Sequence, residues 1–374
     1  METIPCVLCG SSDADPVCAT GDRLRAAEGR LAPASPGPAA TFTLVRCRGC
    51  GLVYLDPRPT AAEIGGFYPD DYHTAHGTAG PVQRLEDAWR RRQFAEVARW
   101  LAELRPGRGR LLDIGCGSGE LLEALRDDGW RVSGVEPSAR SAEIARTQRG
   151  LDVQTAAFDD ASLPESSYDV VVFAAALEHL HDPVAALTRA RRLLTPGGLV
   201  AVLFLPLIDA PQARLFGPRW IGLDLPRHLY QFGTHSFAAA ADAAGLRVVS
   251  TKPYSRRHSP AFWTASLFPG LQKQRLNLTA PPAPSPAPRR HSASSHSART
   301  FSPPRPARAA QARPRRRPGL QAPGATARAG VGRGGENPLD SLAVIGPPEV
   351  GERAVSLTES AACRRGVLAV ATRT

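Results

Sequence analysis

Between residues 108 and 252, short apolar runs alternate with stretches of helical spacing, the pattern of a mainly parallel sheet crossed by helices. Strands are expected over 110–114, 131–135, 152–156, 169–173, 199–205 and 246–251. The run at 169–173 is apolar on successive positions, as a parallel strand covered on both faces must be. Helices are expected over 120–128, 138–149, 184–194 and 236–244. Leu121, Leu122 and Leu125 mark the inward side of the first. Pro137-Ser138 starts the second, Pro196-Gly197-Gly198 ends the third and Gly245 closes the fourth. Upstream, Leu85, Ala88, Trp89, Arg92, Phe94, Val97, Leu101 and Leu104 recur at mixed three and four spacing, so 61–107 reads as a helical linker or lid. Downstream, 277–340 is rich in Pro, Arg, Ala, Ser and Gly. Such a stretch cannot repay its ordering entropy and is expected to be disordered.

Composition narrows the setting. Of 374 residues, 43% are hydrophobic, which suits a globular chain with an accessory module. No run reaches the roughly 18 apolar residues of a membrane span. The start, Met1 to Cys6, lacks the basic and apolar stretches of a signal peptide, so a cytoplasmic location is expected. The net charge of +11 invites a nucleic-acid reading. Yet 281–335 holds eleven arginines and no acid, which leaves the remainder formally neutral. A nucleic-acid partner is therefore disfavoured for the folded part.

The sharpest constellation is Leu112-Asp113-Ile114-Gly115-Cys116-Gly117-Ser118-Gly119, with glycine on alternate positions between a strand and a helix. Glycine lets backbone turn tightly and approach a ligand. The loop lies at the carboxyl end of a strand, where open sheets bind ligands. The dinucleotide spacing Gly-x-Gly-x-x-Gly fails here, because counting from Gly115 its last glycine falls on Glu120. No Gly-Lys-Ser or Gly-Lys-Thr follows, so a ligand without phosphate fits better. Glu136, at the end of the second strand, can accept from both hydroxyls of a ribose. Asp159, near the end of the third, is placed to accept from an adenine amino group, and Asp113 to touch or orient the same ligand.

From 108 to 251 the chain resembles the class I S-adenosylmethionine-dependent methyltransferases. Asp113 to Gly119 looks like the family's first motif and Glu136 like its ribose-binding acid. Leu163-Pro164 with Tyr168-Asp169-Val170-Val171, Leu177 to Pro183, and Leu194-Thr195-Pro196-Gly197-Gly198 resemble the segments around strands four and five. Asp224 to Phe232 looks like the branch containing the ubiquinone-type O-methyltransferases. The resemblance implies S-adenosylmethionine as cofactor and a doubly wound α/β fold, with a mainly parallel seven-stranded sheet and an antiparallel closing strand. The methyltransferase domain is expected over 108–276, followed by 277–340 and a C-terminal segment, 341–374. Within the last, the apolar run 366–371 resembles the closing strand, expected beside 246–251. The competing account is a shifted reading frame after about Gln272, which would leave the sheet without that strand.

Residues 1–60 hold five of the seven cysteines. Cys6-Val7-Leu8-Cys9-Gly10 and Cys47-Arg48-Gly49-Cys50-Gly51 are two copies of one short device. Their four thiolates suit tetrahedral Zn²⁺ in a small zinc-ribbon-like module, with Cys18 left over. An iron–sulfur cluster or no metal are the alternatives, and a disulfide fits a cytosolic chain poorly.

Methyl transfer to oxygen or an acidic carbon needs a proton removed, and histidine is the usual base near neutral pH. His179 and His181 follow the fourth strand; His228 and Tyr230 lie in the long connection after the fifth. Tyr68, Tyr72, His73 and His76 precede the sheet as lid candidates. His179, His228, His181 and Tyr72 are the catalytic candidates. The expected acceptor is a small molecule: a sugar, glycan or secondary-metabolite hydroxyl or activated carbon. An RNA or protein methyltransferase and a non-catalytic, zinc-dependent binding module are the alternatives.

Overall fold

The computed structural model describes residues 1–23, 41–68, 81–253, 266–267 and 341–346. Residues 1–280 and 336–374 belong to one compact unit; 281–335, the other, lie outside the described residues. So does the whole of 277–340, on which the expectation of disorder falls. Among the described residues, no helix is long and apolar enough to cross a membrane.

The chain opens on strands β1 (Ala14–Gly21), β2 (Thr41–Cys47) and β3 (Val53–Leu55) and the short helix α1 (Ala61–Ile64). Helix α2 (Pro81–Leu104) leads into β4 (Arg110–Ile114), α3 (Glu120–Asp127), β5 (Arg131–Glu136), α4 (Ala139–Arg149) and β6 (Val153–Thr155). There follow β7 (Tyr168–Ala174), α5 (Pro183–Leu193), β8 (Leu194–Leu205), α6 (Pro211–Phe216), β9 (Tyr230–Gln231), α7 (Thr234–Ala243), β10 (Arg247–Pro253) and β11 (Ser341–Gly346). Local chemistry explains the helix starts. The Ser138 hydroxyl caps α4 by accepting from Ser141 N at 3.3 Å. The Asp182 carboxylate caps α5 by accepting from Ala185 N at 2.8 Å, with Pro183 in the first turn where its missing N–H costs nothing.

The large sheet has the order β10-β11-β8-β7-β4-β5-β6. Strands β8, β7, β4, β5 and β6 run parallel, and β11 is antiparallel to both its neighbours. Strand succession runs outward from β4 through β5 and β6 on one side and through β7 and β8 on the other. The switch point therefore lies between β4 and β7, where the carboxyl-end loops part to admit ligands. Apolar residues of α2, α3 and α4 cover one face, with Val97, Trp100, Leu101, Leu121, Leu122 and Ala142 buried. The other face packs against α5 and α7 and merges with the N-terminal strands into one core.

One expectation is corrected, and one falls outside the described residues. The third helix ends at Leu193, and β8 begins at once, running through Pro196-Gly197-Gly198; its register against β7 skips between Tyr168↔Leu194 and Val170↔Leu199. The extra residues are absorbed there as an irregularity at the start of β8. The antiparallel closing strand is Ser341–Gly346, hydrogen-bonded between β8 and β10, whereas 366–371 lie outside the described residues.

Ile345 in β11 is fully buried. Ending the chain at residue 340 would remove its apolar burial and unpair the facing edges of β8 and β10, a loss of roughly 3–5 kcal/mol. At about 2–4 °C per kcal/mol, the melting temperature should fall by roughly 10 °C. A melting curve unchanged from the full chain would remove this strand from the sheet.

The small sheet has the order β1-β2-β3-β9 and is antiparallel throughout. Its fourth strand comes from the connection after β8: Val53 pairs with Gln231 and Tyr54 with Tyr230. The N-terminal module thus does not close on itself, and the segment carrying His228 completes its sheet.

Candidate functional site

The glycine loop leaves β4 with Asp113 buried and turns through Gly115, Gly117 and Gly119 at φ of +73°, +54° and +82°. These left-handed values are where side chains are strained. Gly119 also packs closely: a Cβ there would lie 2.4 Å from Leu151 Cδ1. At Gly117 a Cβ would meet no protein atom within 4 Å, so its space opens toward the cleft. Its N–H donates to Glu136 Oε2 at 2.8 Å, and Ser138 N donates to Glu136 Oε1 at 2.8 Å. A carboxylate has about four lone-pair sites. Two are taken, and one on each oxygen remains for a pair of hydroxyls.

Asp113 Oδ1 is buried without a hydrogen-bond partner. Burial, then the charge of Glu136, pushes the Asp113 carboxyl well above the usual range. An orphaned buried oxygen beside an open glycine loop fits a ligand that brings its own donor. Asp159 is exposed, in the turn Phe158–Asp160 just past β6, on the carboxyl-end side of the sheet. The acceptors at this end, the Glu136 carboxylate and the orphaned Asp113 oxygen, suit the hydroxyl and amino donors of S-adenosylmethionine.

Across the switch point, β7 is followed by the turn Leu177–His179. His179 Nδ1 lies 3.1 Å from the Arg227 carbonyl and 2.9 Å from Tyr68 Oη. Only a proton on Nδ1 satisfies the carbonyl. His228 Nδ1 donates to the Gly222 carbonyl at 2.8 Å, fixing the same tautomer. The two imidazoles meet edge to face, centroids 4.6 Å apart. His228 Nε2 lies 4.0 Å from Glu178 Oε1 and 4.0 Å from Asp224 Oδ2. Burial pushes His228 below the usual histidine value, partly opposed by Asp224 and by the Gly222 carbonyl. Burial likewise drives the Tyr68 phenol upward, so it stays protonated. Glu178, His179 and His228 place their ligand atoms within 4.8 Å of one another, close enough to pass a proton or to hold a cation.

The structure thus brings His179 and His228 together and adds Tyr68, expected only as a lid residue. It sets His181 apart. Its Nε2 faces the Pro59 carbonyl at 3.1 Å, while its own carbonyl accepts from Arg58 Nη1 and Tyr230 Oη, each at 2.8 Å. His181 therefore sits in the joint between the N-terminal strands and the large sheet. Tyr72, His73 and His76 lie outside the described residues.

At the N-terminus, Cys6, Cys9, Cys47 and Cys50 bring their sulfurs within 4.8 Å of one another. Cys6 Sγ is 3.4 Å from Cys50 Sγ, and Cys9 Sγ 3.4 Å from Cys47 Sγ. Tetrahedral Zn²⁺ with bonds of about 2.3 Å calls for sulfurs about 3.8 Å apart, so small shifts would complete the site. Each Cys-x-x-Cys turn ends on a left-handed glycine, Gly10 at φ +72° and Gly51 at φ +76°. Gly10 N donates to the Cys6 carbonyl at 2.8 Å and Gly51 N to the Cys47 carbonyl at 2.9 Å. Burial works to raise the Cys47 thiol, but the backbone of Cys50 and the Cys9 thiol outweigh it and bring it to about 7. Cys18 stands outside the cluster.

The family described as a methyltransferase domain matches residues 88–251. A ubiquinone biosynthesis O-methyltransferase of Cereibacter sphaeroides is 31% identical over 233 residues, covering 57% of this chain and 91% of the relative. One from Bordetella avium is 34% identical over 165 residues, covering 39% of this chain and 66% of the relative. Among solved structures, the mitomycin 7-O-methyltransferase MmcR is 26% identical, with a TM-score of 0.37 over 44% of this chain and 50% of that one. The magnesium protoporphyrin IX methyltransferase of Synechocystis PCC 6803, solved with bound SAH, is 19% identical, with a TM-score of 0.39 over 48% and 84%.

Proposed function

This chain belongs to the S-adenosylmethionine-dependent methyltransferases, with ubiquinone biosynthesis O-methyltransferases as relatives, and from that premise we propose that it methylates a small-molecule acceptor, at a hydroxyl or an activated carbon, in the cytoplasm. A sugar, a glycan or a secondary metabolite is the acceptor class that fits. S-adenosylmethionine supplies an electrophilic sulfonium methyl group when bound. Asp113, Gly115, Gly117, Gly119, Glu136 and Asp159 form its cradle in this reading: Glu136 for the ribose hydroxyls, Asp159 for the adenine amino group, Asp113 for a donor near the sulfonium. Four cysteines, Cys6, Cys9, Cys47 and Cys50, hold a structural Zn²⁺.

The observation that carries the acceptor reading is the fixed tautomer of His228. With Nδ1–H bound to the Gly222 carbonyl, Nε2 can only accept a proton. Glu178 and Asp224, each 4.0 Å away, stabilise the imidazolium that results. His179 presses its ring edge to face against His228, which makes it the second candidate for the base. Tyr68 holds His179 in place. Positioning the acceptor in line with the sulfonium and excluding water provide the rest of the barrier reduction.

The test is turnover of methyl-labelled cofactor against a panel of phenols, nucleotide-linked sugars and glycans, with total RNA and total protein as separate arms. Label in the RNA or protein arm alone would replace the small-molecule reading; cofactor binding without any transfer would favour the binding-module alternative. On the acceptor that turns over, His228→Ala should lower kcat by roughly 10²- to 10⁴-fold and leave cofactor affinity unchanged. Because the His228 value is pushed down, its base form persists as pH falls below the usual histidine value of about 6.5, and the acid limb of the rate profile should lie under it. Wild-type rates in both His228→Ala and His179→Ala would move the base elsewhere.

A further inference from the structure

Arg227 is fully buried, and its guanidinium has every direction filled. Nε donates to Asp224 at 3.1 Å and Nη2 to Asp224 Oδ1 at 2.7 Å. Nη2 and Nη1 donate to the two oxygens of Asp22 at 2.9 and 3.0 Å, and Nη1 also reaches the Phe67 carbonyl at 2.9 Å. Asp22 belongs to the N-terminal module, one residue past the end of β1, and lies 205 positions from its partner in sequence. The Arg227 carbonyl takes the His179 Nδ1 proton, and the next residue is His228. One side chain thus fixes the backbone from which both rings are oriented.

The charges add a second argument. One carboxylate would neutralise a buried guanidinium; this one has two. The groups facing His228 are Glu178, Asp224, Arg227 and the ring of His179, with Asp22 behind Arg227. A cation tied to Asp224 alone would cancel the carboxylate nearest to His228 Nε2. With Asp22 sharing Arg227, the guanidinium is offset by two carboxylates instead of one, while Arg23, near enough for Asp224 to favour its charged form, adds a second cation to the group.

We propose that Asp22 is a positioning residue for the acceptor-side histidines: by binding Arg227 from the N-terminal module it orients the rings and adds a negative charge to the group that faces His228. The N-terminal module then contributes to proton removal without touching the acceptor. This rests on the reading of His228 as a base.

The test is a histidine-ring ¹⁵N NMR titration of the full chain, alongside calorimetry with S-adenosylmethionine. Asp22→Asn should lower the His228 midpoint by on the order of one pH unit, because a negative charge is lost. Cofactor affinity should stay within about twofold, since the glycine loop is untouched. Asp22→Glu keeps the charge and should restore most of the midpoint. Arg58→Met breaks a different bridge between the same two parts of the molecule and should leave the midpoint unchanged. If Asp22→Asn does not hold its fold, Asp22→Ser measured at saturating cofactor takes its place. An unshifted midpoint in the neutral variants, or an equal shift in Arg58→Met, would overturn the proposal. A wild-type His228 carrying its proton on Nε2 would instead overturn the base assignment, so the two failures are separable.

Discussion

Gly117→Val should abolish S-adenosylmethionine binding while the domain stays folded. The backbone there has φ of +54°, where a side chain costs about 1–2 kcal/mol before any contact is made. The added carbons would meet no protein atom within 4 Å, so the fold tolerates them. In the proposed cradle, that open space is where the cofactor sits. The strained backbone also displaces the N–H that holds Glu136, so the ribose acid loses its brace. Together these effects should weaken binding at least about 100-fold, or roughly 2.7 kcal/mol. Gly119→Val is the contrast: its Cβ would collide with Leu151 and Ala145 inside the protein, so melting temperature should fall first. Calorimetry on Gly117→Val giving affinity near wild type would take the cofactor site away from this loop.

Parts of this site were legible because their signals are local. The strand over 110–114 was read to the residue, and the glycines after it announced their own turn. Glu136 stands out as a candidate because it ends the next strand, where parallel topology aims side chains at the same cleft. The four cysteines were legible from spacing alone. What escaped was non-local. No pattern marks Tyr230-Gln231 as the fourth strand of a sheet built from residues before 56, because two residues carry no periodicity. The Asp22–Arg227 pair spans 205 positions and joins two residue types that are ordinarily exposed. Ser341–Gly346 and the run at 366–371 have similar apolar character, so only the connection, not the composition, could choose between them. His179, His181 and His228 looked alike as loop histidines; what separates them is which backbone carbonyl each ring meets.

Removing the metal should damage the acceptor side more than the cofactor side. As purified without chelator, the protein should carry about one Zn²⁺ per chain, the content of a single four-ligand site. Cys6 and Cys47 are buried in the same core as Phe42, Leu44 and Leu52 to Leu55, so each ligand is also a packing element. Cys47 ends β2, and β2 pairs with β3, whose other edge holds Tyr230-Gln231. Arg58 adds a polar tie, donating to Tyr230 Oη at 2.7 Å and to the His181 carbonyl. Cys47→Ser leaves three ligands and a weakened site. Structural zinc is worth on the order of 10 kcal/mol to small domains that fold around it. Here the shared core retains part of that, so a net loss of about 3–5 kcal/mol and a fall of roughly 10 °C in melting temperature are expected. The strain passes through β3 to β9, two residues beyond His228, and turnover should drop at least about tenfold. Cofactor affinity should hold, because Glu136 is braced by Gly117 and Ser138 within the large sheet. Metal analysis finding no zinc would defeat the ligand assignment outright. Zinc present but removable with melting and turnover both unchanged would show instead that the module is an appendage, and would break the link from the cysteines through β3 to the histidines.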